Sequence, residues 1–369
     1  TPLARVRGRS VTTVEGLGEA TAHQWADAMC ATGGSQCGFC TPGIIMRLEA
    51  SRRKDAALTV ENVDQAMLAH LCRCTGWQTI EEAARCVGTA TSVGRDQMRA
   101  EARALLEGGT EQSVRPDVAL GLAGFADDTA PVDALVAVRR SDGECAGKVQ
   151  GRRTTEPLSW PVDLPEGDWD RVLQTTWVEP AYLEPDASWC EPGGEPAGAL
   201  ANGGAFGAKV ATEVGAVARR LADLHGKPVR VLYSREDVVR LGPKRPPMAI
   251  GMRADGTGVV RVARTAGIAE AIASIAPRLE VVEVDVVGPA TSAALRGAGW
   301  AEVAAVIASL SGSDEVRAPS GATATASIDA AGQVTVRVNA GTPLDAVVLR
   351  SYCIGAAHMA LGWVRSEAI

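Results

Sequence analysis

The sequence predicts an α+β protein in which a small all-helical part precedes a mixed α/β part. Before residue 90, apolar residues recur at helical spacing between capping signals. Beyond residue 114, β-like runs (LVAVRR, VRVLYS, GVVRVAR, LEVVEVDVV, VTVRVNA) alternate with helical runs (ATEVGAVARRLADLHG, WAEVAAVIASL). With 369 residues and 46% hydrophobic content, the chain exceeds one typical domain. The division read from these patterns is a helical domain over 1–90, a polar linker over 91–114 containing one helix, and an α/β domain over 115–369.

Within the helical part, Thr41-Pro42 offers an N-cap and a first-turn proline ahead of IIMRLEASRR. Thr59 precedes VENVDQAMLAHL, where Val60, Val63, Met67 and Leu71 fall on one face. Thr79 and Glu82 have capping-box spacing ahead of EEAARC. The stretches between these helices hold two cysteine pairs, SQCGFCTPGIIM and HLCRCTGWQTI. In the α/β part, the stretch 191–204, EPGGEPAGALANGG, reads as a loop, and no internal repeat is visible. Aromatic residues make up only 4%, so the core must be built mainly from small aliphatic side chains.

The formal charge of -7, without a basic block, argues against nucleic acid or an anionic membrane as partner. No apolar stretch follows the basic residues of the N-terminus. Apolar runs such as Ala301 to Leu310 are too short to span a bilayer, so neither a leader nor membrane insertion is expected. The nine cysteines, Cys30, Cys37, Cys40, Cys72, Cys74, Cys86, Cys145, Cys190 and Cys353, are an odd number and make a poor disulfide framework. The expected location is therefore the reducing cytoplasm. Cys37 and Cys40 are spaced C-x2-C and Cys72 and Cys74 C-x-C, with a helical hairpin between the pairs. Four thiolates so arranged can hold either a [2Fe-2S] cluster or a tetrahedral zinc ion, and spacing alone does not decide between them. The other five cysteines read as buried small hydrophobes. His23, His70, His225 and His358 show no ligand spacing and read as structural, and Ser234 to Asp237 as a turn or helix start.

QCGFCTPGIIM followed by HLCRCTGWQTIEEA resembles the second, all-helical [2Fe-2S] domain of the molybdenum hydroxylases, the family of xanthine dehydrogenase, aldehyde oxidoreductase and carbon monoxide dehydrogenase. The resemblance implies a [2Fe-2S] cluster on Cys37, Cys40, Cys72 and Cys74, with Gln36 against a pterin. Further segments are similar, in order, to the family's molybdenum subunit: RPDVALGLAGFADDTAPVDALVAV, TTWVEPAYLEP, GGAFGAK, ALRGAGWAEVAAVI and LRSYCIGAAHMALGWVRSEA. By that likeness the domain over 115–369 is a reduced molybdopterin-binding type. The glycine-rich loop Gly203, Gly204, Phe206 and Gly207 would line a molybdopterin cofactor, and Arg296 would lie beside it. Glycine suits such a loop because it permits positive φ and close backbone approach. An ordinary glycine turn and a structural arginine are the plainer alternatives.

The resemblance implies an oxidoreductase that passes electrons from a molybdopterin-type site through a [2Fe-2S] cluster, acting on a small-molecule substrate. The competing expectation is an electron-carrying or scaffold subunit whose chemistry occurs in a partner. Flavin or further iron–sulfur components are expected in other subunits. The family's catalytic glutamate lies in a Gly-Glu segment beyond the last residue, Ile369, and Glu367 matches a different position. No residue is therefore assigned as catalytic, and slow turnover is expected of this polypeptide by itself.

Overall fold

The computed structural model describes residues 3–54, 58–90, 94–106, 112–138, 160–200, 203 and 205–366. Its helices are α1 (Leu3–Val6), α2 (Glu19–Thr32), α3 (Thr41–Lys54), α4 (Val60–Met67), α5 (Gln78–Cys86), α6 (Gln97–Leu106), α7 (Ala126–Thr129), α8 (Val214–His225), α9 (Arg235–Leu241), α10 (Ile268–Ala273), α11 (Trp300–Ser311) and α12 (Ala346–Arg365). The strands are β1 (Leu135–Val138), β2 (Arg171–Gln174), β3 (Ala187–Cys190), β4 (Val229–Leu232), β5 (Met248–Met252), β6 (Gly258–Ala263), β7 (Leu279–Val284), β8 (Glu315–Arg317), β9 (Thr323–Ile328) and β10 (Val334–Asn339). The class is α+β. Two compact units interleave along the sequence. The first takes Thr1–Phe125, Ala201–Gly203 and Pro343–Met359; the second takes Ala126–Leu200, Gly204–Thr342 and Ala360–Ile369.

The first unit is helical. Trp25 and Met29 of α2, Ile44, Ile45 and Leu48 of α3, Val63 of α4 and Ile80 of α5 form one buried cluster. A polar group enters it with its partners supplied: the Trp25 indole donates to Glu49 at 2.9 Å, and Arg52 and Arg53 donate to the same carboxylate at 2.7 and 2.8 Å. Thr59 caps α4 as the sequence indicates, accepting from the Asn62 amide at 3.2 Å.

Three expected details differ. Helix α4 ends at Met67, so only Val63 and Met67 of the expected apolar face are buried, while Val60 and Leu71 are exposed. Helix α5 starts at Gln78 behind a left-handed Trp77 (φ 71), which places Thr79 inside the helix rather than at its cap. The Thr79 hydroxyl is buried without a hydrogen-bond partner, and Glu82 pairs instead with Arg350 at 2.6 Å. Helix α12 also departs from the expectation that no apolar segment reaches membrane-spanning length: by length and composition it does. Its buried residues Val348, Ser351 and Gly355 nonetheless pack within the first unit.

The second unit contains three sheets. In the first, β4 lies between parallel β1 and antiparallel β3, and α8 covers it with Val214, Ala218 and Ala222 against Val229, Val231 and Cys190. The second has the order β2-β5-β6-β7, with only the β6-β7 pair parallel. Its core joins Met248, Ile250 and Met252 to Val260 and Val262, covered by Ile268 and Ile272 of α10 and Val303 and Val306 of α11. The third, β8-β9-β10, is an antiparallel meander whose strands are mostly exposed.

Burial sets the expected cost of truncation. Leu48→Ala, at a fully buried position, should lower the unfolding free energy of the first unit by about 2–5 kcal/mol. Val338→Ala on exposed β10 should change stability by no more than about 0.5 kcal/mol. Denaturant titrations of both variants check the contrast.

Candidate metal centre and the loops of the second unit

The α2–α3 and α4–α5 connections each end one helix and begin the next with a cysteine pair between them. Cys37 and Cys40 lie in the first connection, Cys72 and Cys74 in the second. The helical hairpin brings all four thiols together, pairing one from each connection. The Cys74 thiol donates to Cys37 at a sulfur–sulfur distance of 3.6 Å, and the Cys40 thiol donates to Cys72. The 3.6 Å spacing is far beyond a disulfide bond. It is close to the roughly 3.8 Å that separates two thiolates at ~2.3 Å from one tetrahedral metal.

Hydrogen bonding, burial and neighbouring charge move these thiols in opposite directions. The hydrogen bond each donates, then burial, then the charge of the neighbouring thiols push Cys40 and Cys74 well above the ordinary thiol value. Cys72, accepting from Cys40 and bonded to Thr75 at 3.1 Å, is pulled down to about 6. The charge of the neighbouring thiols reaches across both pairs, and four thiolates are the kind of donor set that a cationic metal or iron–sulfur core would neutralise.

Glycines line the same two connections because other parts of the chain approach closely. A Cβ on Gly38 (φ 84) would lie 2.5 Å from the Val118 side chain, and one on Gly203 would lie 2.9 Å from Cys37 Cβ. Gln36 does not reach free into solvent. Its amide donates to the Cys74 carbonyl at 3.0 Å and to Ser351 Oγ at 2.8 Å.

The remaining residues singled out from sequence belong to the second unit, except Gly204, which lies outside the described residues. Phe206, Gly207 and Arg296 meet there. The Arg296 guanidinium stacks over the Phe206 ring at 4.9 Å and donates to the Pro180 carbonyl at 2.8 Å, and the Arg296 amide donates to the Phe206 carbonyl at 3.2 Å. Ala205, Phe206 and Gly207 run left-handed in succession (φ 51, 60 and 96), and so does Arg296 (φ 50). Non-glycine residues in this region carry strain that only surrounding structure sustains. Here the surroundings are explicit: a Cβ on Gly207 would lie 2.1 Å from the Ala294 carbonyl. The chain's own packing therefore requires this glycine.

Three ion pairs that sequence inspection missed hold these loops. Lys209 pairs with Glu184 and lies over the Tyr182 ring, Lys244 pairs with Glu179 at 2.6 Å, and Arg245 pairs with Glu302 at 2.6 Å, with all three cations buried. Arg245 also donates to the Leu295 and Arg296 carbonyls at 3.1 and 2.8 Å, which fixes the arginine loop from beneath. Glu302 is thus occupied twice, since its other oxygen accepts from the Gly299 amide at 3.0 Å at the start of α11. The pairs escaped notice because their members lie 25 to 65 positions apart and carry no local pattern. Ser234 and Asp237 do form a reciprocal capping box at the start of α9. Of the remaining cysteines, Cys30 and Cys190 are buried, Cys86 and Cys353 are half-buried, and Cys145 lies outside the described residues.

Residues 13–85 match the family model described as a [2Fe-2S] binding domain. The chain is 44% identical over 86 residues to a xanthine dehydrogenase of Dictyostelium discoideum, covering 23% of this chain and 6% of that protein. It is 41% identical over 85 residues to aldehyde oxidase 1 of Oryctolagus cuniculus, covering 22% and 6% respectively. The chain thus spans about 6% of the length of these curated relatives. The solved aldehyde oxidoreductase from Desulfovibrio gigas shares the fold over 84% of this chain and 56% of its own, with a TM-score of 0.50 at 15% identity.

The buried pair at Glu184 gives a pH signature. Burial outweighs the nearby Lys209 charge and raises the Glu184 carboxyl from 4.5 to about 7. Between those values the folded chain keeps a proton that the unfolded chain has lost. Its stabilising contribution is therefore full below 4.5 and disappears as pH rises to about 7. Glu184→Gln should flatten the fall in stability across that window, by at most about 3 kcal/mol. Thermal melts of both proteins at intervals across it provide the check.

Proposed function

We propose that this chain, a member of the molybdenum hydroxylase family by its [2Fe-2S] domain, is an oxidoreductase or the electron-transferring component of one. The observation that carries the reading is the convergence of four cysteine sulfurs from two loops, paired across the loops, inside a domain that matches the [2Fe-2S] family model. In this proposal Cys37, Cys40, Cys72 and Cys74 hold the cluster. Each pairing takes one thiolate from each connection, Cys37 with Cys74 and Cys40 with Cys72. Such a cluster supplies one-electron transfer. The surrounding residues hold the ligand loops: Thr75 hydrogen-bonds the Cys72 sulfur, while the Gln36 amide donates to the Cys74 carbonyl.

The proposed substrate is a small molecule oxidised at a molybdopterin-type site, for which Gln36, Gly203, Gly204, Phe206, Gly207 and Arg296 are the candidate cofactor residues. Flavin or further iron–sulfur groups in other subunits would complete the electron path. The proposed compartment is the cytoplasm, because none of the eight described cysteines is joined in a disulfide.

A second reading has its own support. The loop of Ala205 to Gly207 is closed by the Ala294 carbonyl, and Lys209, Glu184 and Arg296 are engaged by the chain itself. This favours a scaffold whose role is to carry the cluster, with chemistry in a partner. Metal and pterin analysis of purified protein separates the two. Stoichiometric molybdenum with pterin supports the enzyme reading, and iron without molybdenum supports the carrier.

Serine at any one of the four cysteines should bleach the visible absorption of the reconstituted protein. It should also destabilise the helical unit, since the metal ties two connections together. Retention of the full spectrum by Cys72→Ser or Cys74→Ser would remove that cysteine from the ligand set.

A further inference from the structure

The first unit draws in a segment that lies far along the sequence from its cysteine loops. Pro343–Met359, which includes most of α12, belongs to the same unit and approaches both connections closely at glycine positions. A Cβ on Gly355 would lie 1.8 Å from the Cys74 carbonyl oxygen, one on Gly76 would lie 2.9 Å from the Ile354 carbonyl, and one on Gly33 would lie 2.7 Å from Ser351 Cβ. Only side chains reduced to hydrogen at all three positions allow the helix to lie this close.

Ser351, fully buried, links the parts. Its hydroxyl donates to the Gly33 carbonyl at 2.7 Å and accepts from the Gln36 amide at 2.8 Å, while the same amide donates to the Cys74 carbonyl. Two ion pairs tie the entry of the helix to the unit, Arg95–Asp345 at 2.8 Å and Arg350–Glu82 at 2.6 Å.

We propose that Ser351 and Gly355 are positioning residues of the iron–sulfur site. Gly355 lets α12 seat on the Cys74 backbone and exclude water from that side. Ser351 holds Gln36 so that its amide dipole stays fixed on the Cys74 loop. Partners that orient metal ligands typically govern about 10–100-fold in metal retention, and hydrogen bonding with solvent exposure tunes cluster potential. The functional cluster domain is therefore discontinuous, and its last wall comes from a helix remote in sequence from the cysteines.

The inference rests on the four cysteines holding a cluster, which iron and sulfide analysis of the unaltered full chain tests first; absence of iron there overturns both. In the loaded chain, Gly355→Ala should release iron to a chelator about tenfold faster. Ser351→Ala removes a hydroxyl and adds no bulk, so it should keep the full iron content while shifting the midpoint potential and the visible circular dichroism. Ala356→Ser, on the exposed face of the same helix, should match the unaltered chain in all three measurements. An iron-loaded wild type together with unchanged potential, dichroism and iron release in both variants would overturn the positioning role alone. Equal changes in Ala356→Ser would do the same.

Discussion

Four sulfurs from two separate loops must share one small volume, and the architecture of the first unit follows from that requirement. Hydrogen bonding across the two thiol pairs divides them: Cys72 is drawn toward ionisation at about 6, while Cys40 and Cys74 are pushed the other way. A buried set of like groups is costly unless something positive satisfies it. The core of Trp25, Met29, Ile44, Leu48 and Ile80 supplies the frame for the helices that bear the two loops. A metal-sulfide core bound at the sulfurs would tie the two loops together, making folding of the loops and loading of the site one equilibrium.

The second unit solves a different problem with a similar economy of residues. Its loops at Ala205 to Gly207 and at Arg296 to Gly297 adopt left-handed backbone next to one another, and buried cations hold them there. Arg245 is central, because one guanidinium joins Glu302 at the start of α11 to two carbonyls of the arginine loop. Removing any one member of these pairs strands a buried charge, which costs more than the pair itself contributes.

The parts legible in sequence were those with local patterns. Helices α3, α4, α8 and α11 and strands β4, β6, β7 and β10 announce themselves through residue pattern, α4 also through its Thr59 cap, as do the two cysteine pairs through spacing; Thr41, expected to cap α3, is instead its first residue. Strand β5, MAIGM, is buried at every position and so lacks the alternation that marks a strand; β3, ASWC, is short and poor in β-branched residues. Thr79 and Glu82 had the right spacing for a cap, yet Glu82 found Arg350, a partner 268 positions away. Distance likewise hides what α12 packs against: Gly33, Gly76 and Gly355 look like ordinary glycines until the close approach of Ser351 Cβ, the Ile354 carbonyl and the Cys74 carbonyl to them is seen. The glycine of the GGAFGA loop illustrates the converse, since the spacing suggested close approach to a ligand while Gly207 is already required by the Ala294 carbonyl.

The central claim is that Cys37, Cys40, Cys72 and Cys74 together provide all the protein ligands of one iron–sulfur cluster. X-ray absorption at the iron edge of the loaded chain tests it most directly, because it reports the atoms bonded to the metal. The account predicts a first shell of sulfur alone, with an iron–iron vector that disappears in Cys74→Ser protein. Nitrogen or oxygen neighbours in the unaltered chain, or zinc in place of iron at full occupancy, would contradict it.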